Sequence, residues 1–232
     1  ATQQLAAALE GRERHAGQVK WLEELRAARD ANEAGLRAQL ESDAVPINPH
    51  RIMKELRDTL PRNATISVDG ETTMGLARQL VPTFEPRKRF NAGTTGCMGT
   101  GVPYAIGAQL ARPGEPVVAI LGDYAFGSAM MDVETAARVG ANVVFVVCNN
   151  EGIAGHMIQD GMFPTGAPKV AALLPASYEK IAEMVGAHAE RVDAPGEIRP
   201  ALERALAANA PAIVHIRMDP KATRMSGGVY LR

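Results

Sequence analysis

Aromatic side chains are scarce, only 4% of the chain, which argues against a surface that stacks nucleic-acid bases. An excess of either charge is lacking too. The 25 basic and 26 acidic residues leave a formal net charge of −1, so there is no broad basic face for a phosphate backbone. Cysteine is nearly absent. Cys97 and Cys148 have no CxxC neighbour, which speaks against zinc or dithiol motifs and for a reducing, cytoplasmic setting. No apolar run approaches the roughly 18–20 residues of a membrane span, and no segment resembles a signal peptide. The opening Ala1-Thr2-Gln3-Gln4 reads as the interior of something longer, or as a trimmed end.

What is present is apolar bulk: 46% of 232 residues, enough for one large α/β domain with an added segment. Residues 2–43 are charged, alanine-rich and helical in period, with Trp21, Leu22, Leu25, Leu36 and Leu40 as the apolar stripe. Gly11 and Gly35 interrupt this stretch, which predicts one or two helices, and Pro46-Ile47-Asn48-Pro49 ends it. A regular alternation follows. Helical patterns at 50–60, 72–80, 128–139, 178–185 and 197–208 intersperse with β-type runs at 65–68, 117–121, 143–147, 189–192 and 212–216. The run Val143 to Val147 is uninterrupted and β-branched apart from Phe145, as in a strand buried on both faces. The expected fold class is α/β, a doubly wound parallel sheet with helices on both faces, preceded by a helical linker.

In such sheets ligands bind at the carboxyl ends of strands. Two polar clusters sit at strand ends. One is Gly122-Asp123-Tyr124-Ala125-Phe126-Gly127, after the strand at 117–121; the other is Asn149-Asn150-Glu151-Gly152, after the strand at 143–147. One helix separates the two strands, so a single crossover makes them neighbours and brings Asp123 to Asn150. A carboxylate, an amide oxygen and a backbone carbonyl form an all-oxygen set suited to magnesium, completed by phosphate oxygens. Gly122 and Gly127 would let the backbone approach those phosphates, with the following helix N-terminus adding its dipole. Either cluster alone is better explained by a helix cap at Asp123 or a turn at the asparagines. The pair at this spacing favours the ligand reading.

A Gly-Asp pair followed, 27 positions after its Asp (123 to 150), by the second Asn of an Asn-Asn pair resembles the motif of thiamine-diphosphate enzymes. The resemblance implies that Asp123, Asn150 and the carbonyl of Gly152 bind magnesium, and that Gly122, Tyr124, Ala125 and Ile153 lie against the cofactor. Tyr124 departs from the family's usual glycine. The segment Thr95 to Ala108 resembles a second family motif; it implies that Gly96 lies against the cofactor and that Met98 holds it bent, although Met98 alone would read as core filling. Gly93, Gly96 and Gly99 follow GxxGxxG spacing, a poor fit to a nicotinamide site. Gly70, Glu71 and Thr72 open a helix after another strand and resemble the diphosphate-holding segment, or simply cap that helix.

The resemblance divides the chain into a linker or subunit-contact segment at 1–44, a diphosphate-binding domain at 45–220 and a tail at 221–232 that is a candidate active-site cover. The segments 125–127 and 131–135 look closest to 2-hydroxyacyl-CoA lyases and oxalyl-CoA decarboxylases. Ile153-Ala154, where those enzymes tend to have Ile-Tyr, departs from them. The implied activity is a thiamine-diphosphate- and magnesium-dependent lyase, decarboxylase or carboligase acting on a small molecule, with an acyl-CoA as the favoured substrate. Alternatives are an acetolactate-synthase-like carboligase and a noncatalytic assembly subunit. The family's pyrimidine-binding domain and its glutamate have no counterpart here, so a second chain or an N-terminal part must supply them, in a homo- or hetero-oligomer. Glu151 and His156 are the candidates for substrate-side proton transfer, His156 being more readily read as a surface loop residue. The segment 155–166 is either a lid or a plain loop.

Overall fold

A computed structural model describes residues 2–13, 15–153 and 171–221. Two units are distinguished, residues 1–38 and 39–232. The first is helical: α1 spans Thr2–Leu9, and α2, spanning Ala16–Leu40, runs on into the second unit. Gly11 takes a left-handed φ of 73° just after α1, where a glycine ends a helix at least strain. Gly35 does not break α2, because glycine within a long helix costs only about 1 kcal/mol.

The second unit opens with α3, Pro49–Thr59. Asn48 caps it, its Oδ1 accepting the His50 N–H at 2.9 Å, and Pro49 occupies the first turn, where no N–H is needed. The series continues through β1 (Thr65–Asp69), α4 (Glu71–Leu80), β2 (Arg89–Phe90), α5 (Gly101–Ala111), β3 (Val117–Gly122), α6 (Asp123–Gly127) and α7 (Asp132–Val139). It closes with β4 (Val143–Asn149), α8 (Glu179–Met184), β5 (His188–Val192), α9 (Ile198–Ala207) and β6 (Ala212–Arg217). All six strands are parallel, in the order β2-β1-β3-β4-β6-β5.

Each face of the sheet buries its own set of side chains, as the period of two requires. Val117, Ala119 and Leu121 of β3 and Val143, Phe145 and Val147 of β4 pack under α5, α7 and α8, against Val102, Ile106, Phe126, Val133 and Ala182. The alternate residues, Val118, Ile120, Val144, Val146 and Val214, are equally buried, on the face that α3, α4 and α9 cover. The doubly wound parallel sheet expected from the alternation is the observed fold.

Two local expectations need correction. The helix expected at 128–139 covers only Asp132–Val139 (α7), and a separate short helix, α6, precedes it, starting at Asp123 directly on Gly122. Starting there places a carboxylate in the first turn, where the helix dipole favours it. β2, with two residues, was not expected; periodicity cannot report so short a strand.

Candidate functional site

The strand order creates the crevice. From β1 the chain moves outward to β2, whereas from β3 it moves the opposite way to β4. The segments leaving β1 and β3 therefore diverge, and a gap opens above their carboxyl ends. Asp69 is paired with Leu121, which sets Gly70 beside Gly122. Gly70 holds φ at 95°, and a Cβ there would come within 2.9 Å of Thr73 Oγ1 and 3.2 Å of the Gly122 nitrogen. Only glycine meets both demands. From Gly70 the chain enters α4 at once, so the first turn of that helix borders the gap.

Asp69 joins this rim to the next segment. Its Oδ1 accepts the Gly70 N–H and its Oδ2 the Gly101 N–H, both at 2.8 Å, while Ser67 Oγ donates to the Gly101 carbonyl at 2.9 Å. Helix α5 is thereby tied down by its first residue. A Cβ on Gly101 would lie 2.6 Å from the Asp69 Cβ and 2.5 Å from a Leu121 methyl. The close backbone approaches are therefore at Gly70 and Gly101. Around Gly122 and Gly127, expected to let the backbone approach phosphates, the protein's own atoms leave room.

Asp123 and Asn150, 27 positions apart, come to the same place. Asp123 is 1% exposed; its Oδ1 accepts the Tyr124 N–H at 2.7 Å and its Oδ2 the Gly152 N–H at 2.9 Å. Burial pushes its carboxyl up to about 6, although the N–H groups of Tyr124, Gly152, Glu151 and Asn150 pull the other way. This carboxylate is held in place by donors and has no ion pair among the described residues, which suits it to a cation. Among the described residues no group of three or more His, Cys, Asp or Glu side chains converges. A metal here would have to be held by Asp123 with amide, carbonyl and ligand oxygens, the hard-oxygen set that suits magnesium.

The cleft gathers most of the residues singled out from sequence. Gly70, Glu71 and Thr72 line it from α4, and Gly122, Asp123, Tyr124 and Ala125 from the β3 end. Asn150, Gly152 and Ile153 line it from the β4 end, and Met98 from the segment before α5. Gly96 and Glu151 are not part of the lining; Glu151 is half-buried, with φ at 60°. His156, the lid candidate at 155–166 and nearly all of the tail at 221–232 lie outside the described residues. Thr73, Cys148 and Met218 line the cleft without having been expected. Thr73 directly follows the expected Thr72, and Cys148 directly follows the β-type run at 143–147; nothing in the sequence marks Met218, which reaches the rim through the β6 end. A second, more apolar hollow adjoins the first, lined by Met130, Leu173, Tyr178 and Ile181, and Tyr124 borders both. No helix among the described residues is long and apolar enough to cross a membrane.

Residues 69–216 match the family model described as thiamine pyrophosphate enzyme, C-terminal TPP binding domain. The chain is 37% identical over 201 residues to an acetolactate synthase large subunit of Mycobacterium tuberculosis, covering 86% of this chain and 37% of that protein. It is 35% identical over 217 residues to a 2-hydroxyacyl-CoA lyase of Arabidopsis thaliana, covering 89% of this chain and 38% of the relative. Similarity to an oxalyl-CoA decarboxylase of Escherichia coli is 34% over 212 residues, covering 90% and 37%. The chain thus spans little more than a third of the length of these curated relatives.

Proposed function

The chain belongs to the thiamine pyrophosphate enzyme family as its C-terminal cofactor-binding domain, and from that premise we propose that it supplies the diphosphate and magnesium half of a carbon–carbon lyase, decarboxylase or carboligase. Its cofactor is thiamine diphosphate, with magnesium the usual partner ion in the family. The observation that carries the reading is Asp123: a buried carboxylate, without an ion pair among the described residues, at the topological switch point and on one cleft with Asn150. Asp123, the side-chain oxygen of Asn150 and the carbonyl of Gly152 hold the ion. Gly70, Glu71 and Thr72 offer the α4 N-terminus to the diphosphate, and Gly96, Gly122, Tyr124, Ala125 and Ile153 shape the rest of the pocket. Met98 supports the cofactor's bent form.

When bound, the cofactor supplies an electron sink for the carbanion left as a bond beside a carbonyl breaks. The chain's own residues orient it, neutralise the diphosphate charge through the ion, and hold protons near the reacting atoms, Glu151 and His156 being the groups proposed for that transfer. A pyrimidine-binding domain with its glutamate comes from a second polypeptide or from a part of the protein beyond this chain. The favoured substrates are acyl-CoA thioesters of the 2-hydroxyacyl-CoA lyase or oxalyl-CoA decarboxylase type. The 37% identity to an acetolactate synthase subunit supports a second reading, carboligation of 2-oxo acids.

Calorimetry with thiamine diphosphate and magnesium tests the cofactor half. Binding is expected to need the metal, to tighten when a pyrimidine-domain polypeptide is added, and to vanish in Asp123→Ala. Binding unchanged in that variant would overturn the metal assignment. Turnover of oxalyl-CoA or a 2-hydroxyacyl-CoA by the assembled pair, set against turnover of pyruvate, separates the two substrate readings.

A further inference from the structure

The two asparagines of the pair face different ways. Asn149 is the last residue of β4 and shares a face with Val143, Phe145 and Val147, the face covered by α8. On β6, His215 lies opposite Val147 in register and Arg217 opposite Asn149, so His215 and Asn149 meet diagonally. Asn149 Nδ2 is 3.0 Å from His215 Nε2, and His215 Nδ1 is 2.5 Å from Glu179 Oε2. All three residues are buried. Tyr178 packs edge-on to the imidazole with ring centroids 5.5 Å apart, and Arg191 lies 3.7 Å from the other Glu179 oxygen.

The polarity of this line can be read from its inner end. Asn149 Oδ1 accepts the Glu151 N–H at 2.9 Å, which turns Nδ2 toward the histidine. An amide nitrogen only donates, so Nε2 must accept, and the ring proton sits on Nδ1 and donates to the Glu179 carboxylate. Burial holds His215 below the ordinary imidazole range, in keeping with a neutral ring. Every group in the line is then satisfied. At its inner end stands a turn that needs holding: Glu151 has φ at 60°, a conformation that costs a non-glycine residue about 1–2 kcal/mol. Neighbouring bonds assist, since Met218 N–H donates to the Asn149 carbonyl at 2.8 Å and Gly152 N–H to Asp123 at 2.9 Å.

We infer that Glu179, His215 and Asn149 are positioning residues, a buried hydrogen-bonded line that fixes the Glu151 turn and so presents Asn150 and Gly152 to the magnesium ion. The inference rests on the metal assignment proposed above. Outer partners of this kind typically alter metal affinity by about 10–100-fold when removed. Glu179→Leu leaves Nδ1–H without an acceptor and frees the ring to take the Nε2–H tautomer. Asn149 must then turn its amide, setting a donor against the Glu151 N–H. Glu179→Gln keeps an acceptor oxygen and serves as the rescue.

The test uses the whole chain in two arms. Nitrogen-15 spectra of the metal-free protein read the His215 tautomer, and calorimetric titration with magnesium at saturating thiamine diphosphate reads the ion. The expected results are an Nδ1–H tautomer in the parent chain, its loss in Glu179→Leu with magnesium binding at least about tenfold weaker, and recovery to within about twofold in Glu179→Gln. Should the leucine variant not fold, His215→Phe keeps the ring volume, removes the acceptor, and is expected to show the same weakening. An Nε2–H tautomer in the parent, or undiminished magnesium affinity in a folded Glu179→Leu or His215→Phe, overturns the inference and leaves the metal assignment standing. No magnesium-dependent binding by the parent chain overturns the metal assignment and the inference with it.

Discussion

Asp123 carries a charge that its surroundings penalise, and that has a measurable signature. Its carboxyl sits at about 6 against an ordinary 3.8, so the metal-free fold binds the proton more tightly than the unfolded chain does. Stability from this group is therefore greatest in acid and falls as pH rises from about 4 to about 6, by on the order of 3 kcal/mol. A carbon-13 titration of the metal-free chain, assigned with Asp123→Asn, is expected to show one aspartate titrating near pH 6; a midpoint at or below 4 would contradict its burial. Magnesium and cofactor should move that midpoint downward. At this scale the sequence was informative where chemistry needs a side chain of one type at one spacing, as with Asp123 and Asn150. It was silent where a residue contributes by place alone. Met218 reaches the cleft only because β6 ends there, and Asp69 ties Gly70 to Gly101 through a contact that no spacing announces. The adjacent Asn149 was given no role of its own beyond a turn; the pleat of β4 gives it different neighbours from Asn150.

Elements were legible in proportion to their length and burial. The runs in β3 and β4 are apolar on both faces because helices cover both, and such runs stand out in any window. β5, His188–Val192, is the last strand in the sheet order among the described residues and only partly buried, with Glu190 and Arg191 in its middle, and its pattern is correspondingly weak. The short helix α6, Asp123–Gly127, was not legible, because five residues span too little of a helical period to register. Packing between elements yields its own test. Gly101→Ala drives a methyl against the Asp69 Cβ and pushes α5 off the sheet, so urea unfolding should report a loss of about 1–3 kcal/mol. Phe145→Ala, emptying the centre of the sheet under α7 and α8, should cost about 3–5 kcal/mol by the same measurement. The first loss should bring weaker cofactor binding with it, since α5 follows directly on Met98.

The chain spans little more than a third of the length of its curated relatives. Residues 39–221 draw their core from their own strands and helices, and we propose that they fold as one cooperative unit. A chain lacking residues 1–38 is expected to keep a single thermal transition and magnesium-dependent cofactor binding, measured by calorimetry; loss of cooperativity would make the linker part of the domain. The strand order has a temporal consequence as well. β6 is the last strand in the chain but lies inside the sheet, between β4 and β5. During synthesis from the N-terminus, β4 waits with an apolar, unpaired edge, and β5 has no partner at all until residue 217 has left the ribosome. A nascent chain arrested near residue 210 would present that edge to any neighbour.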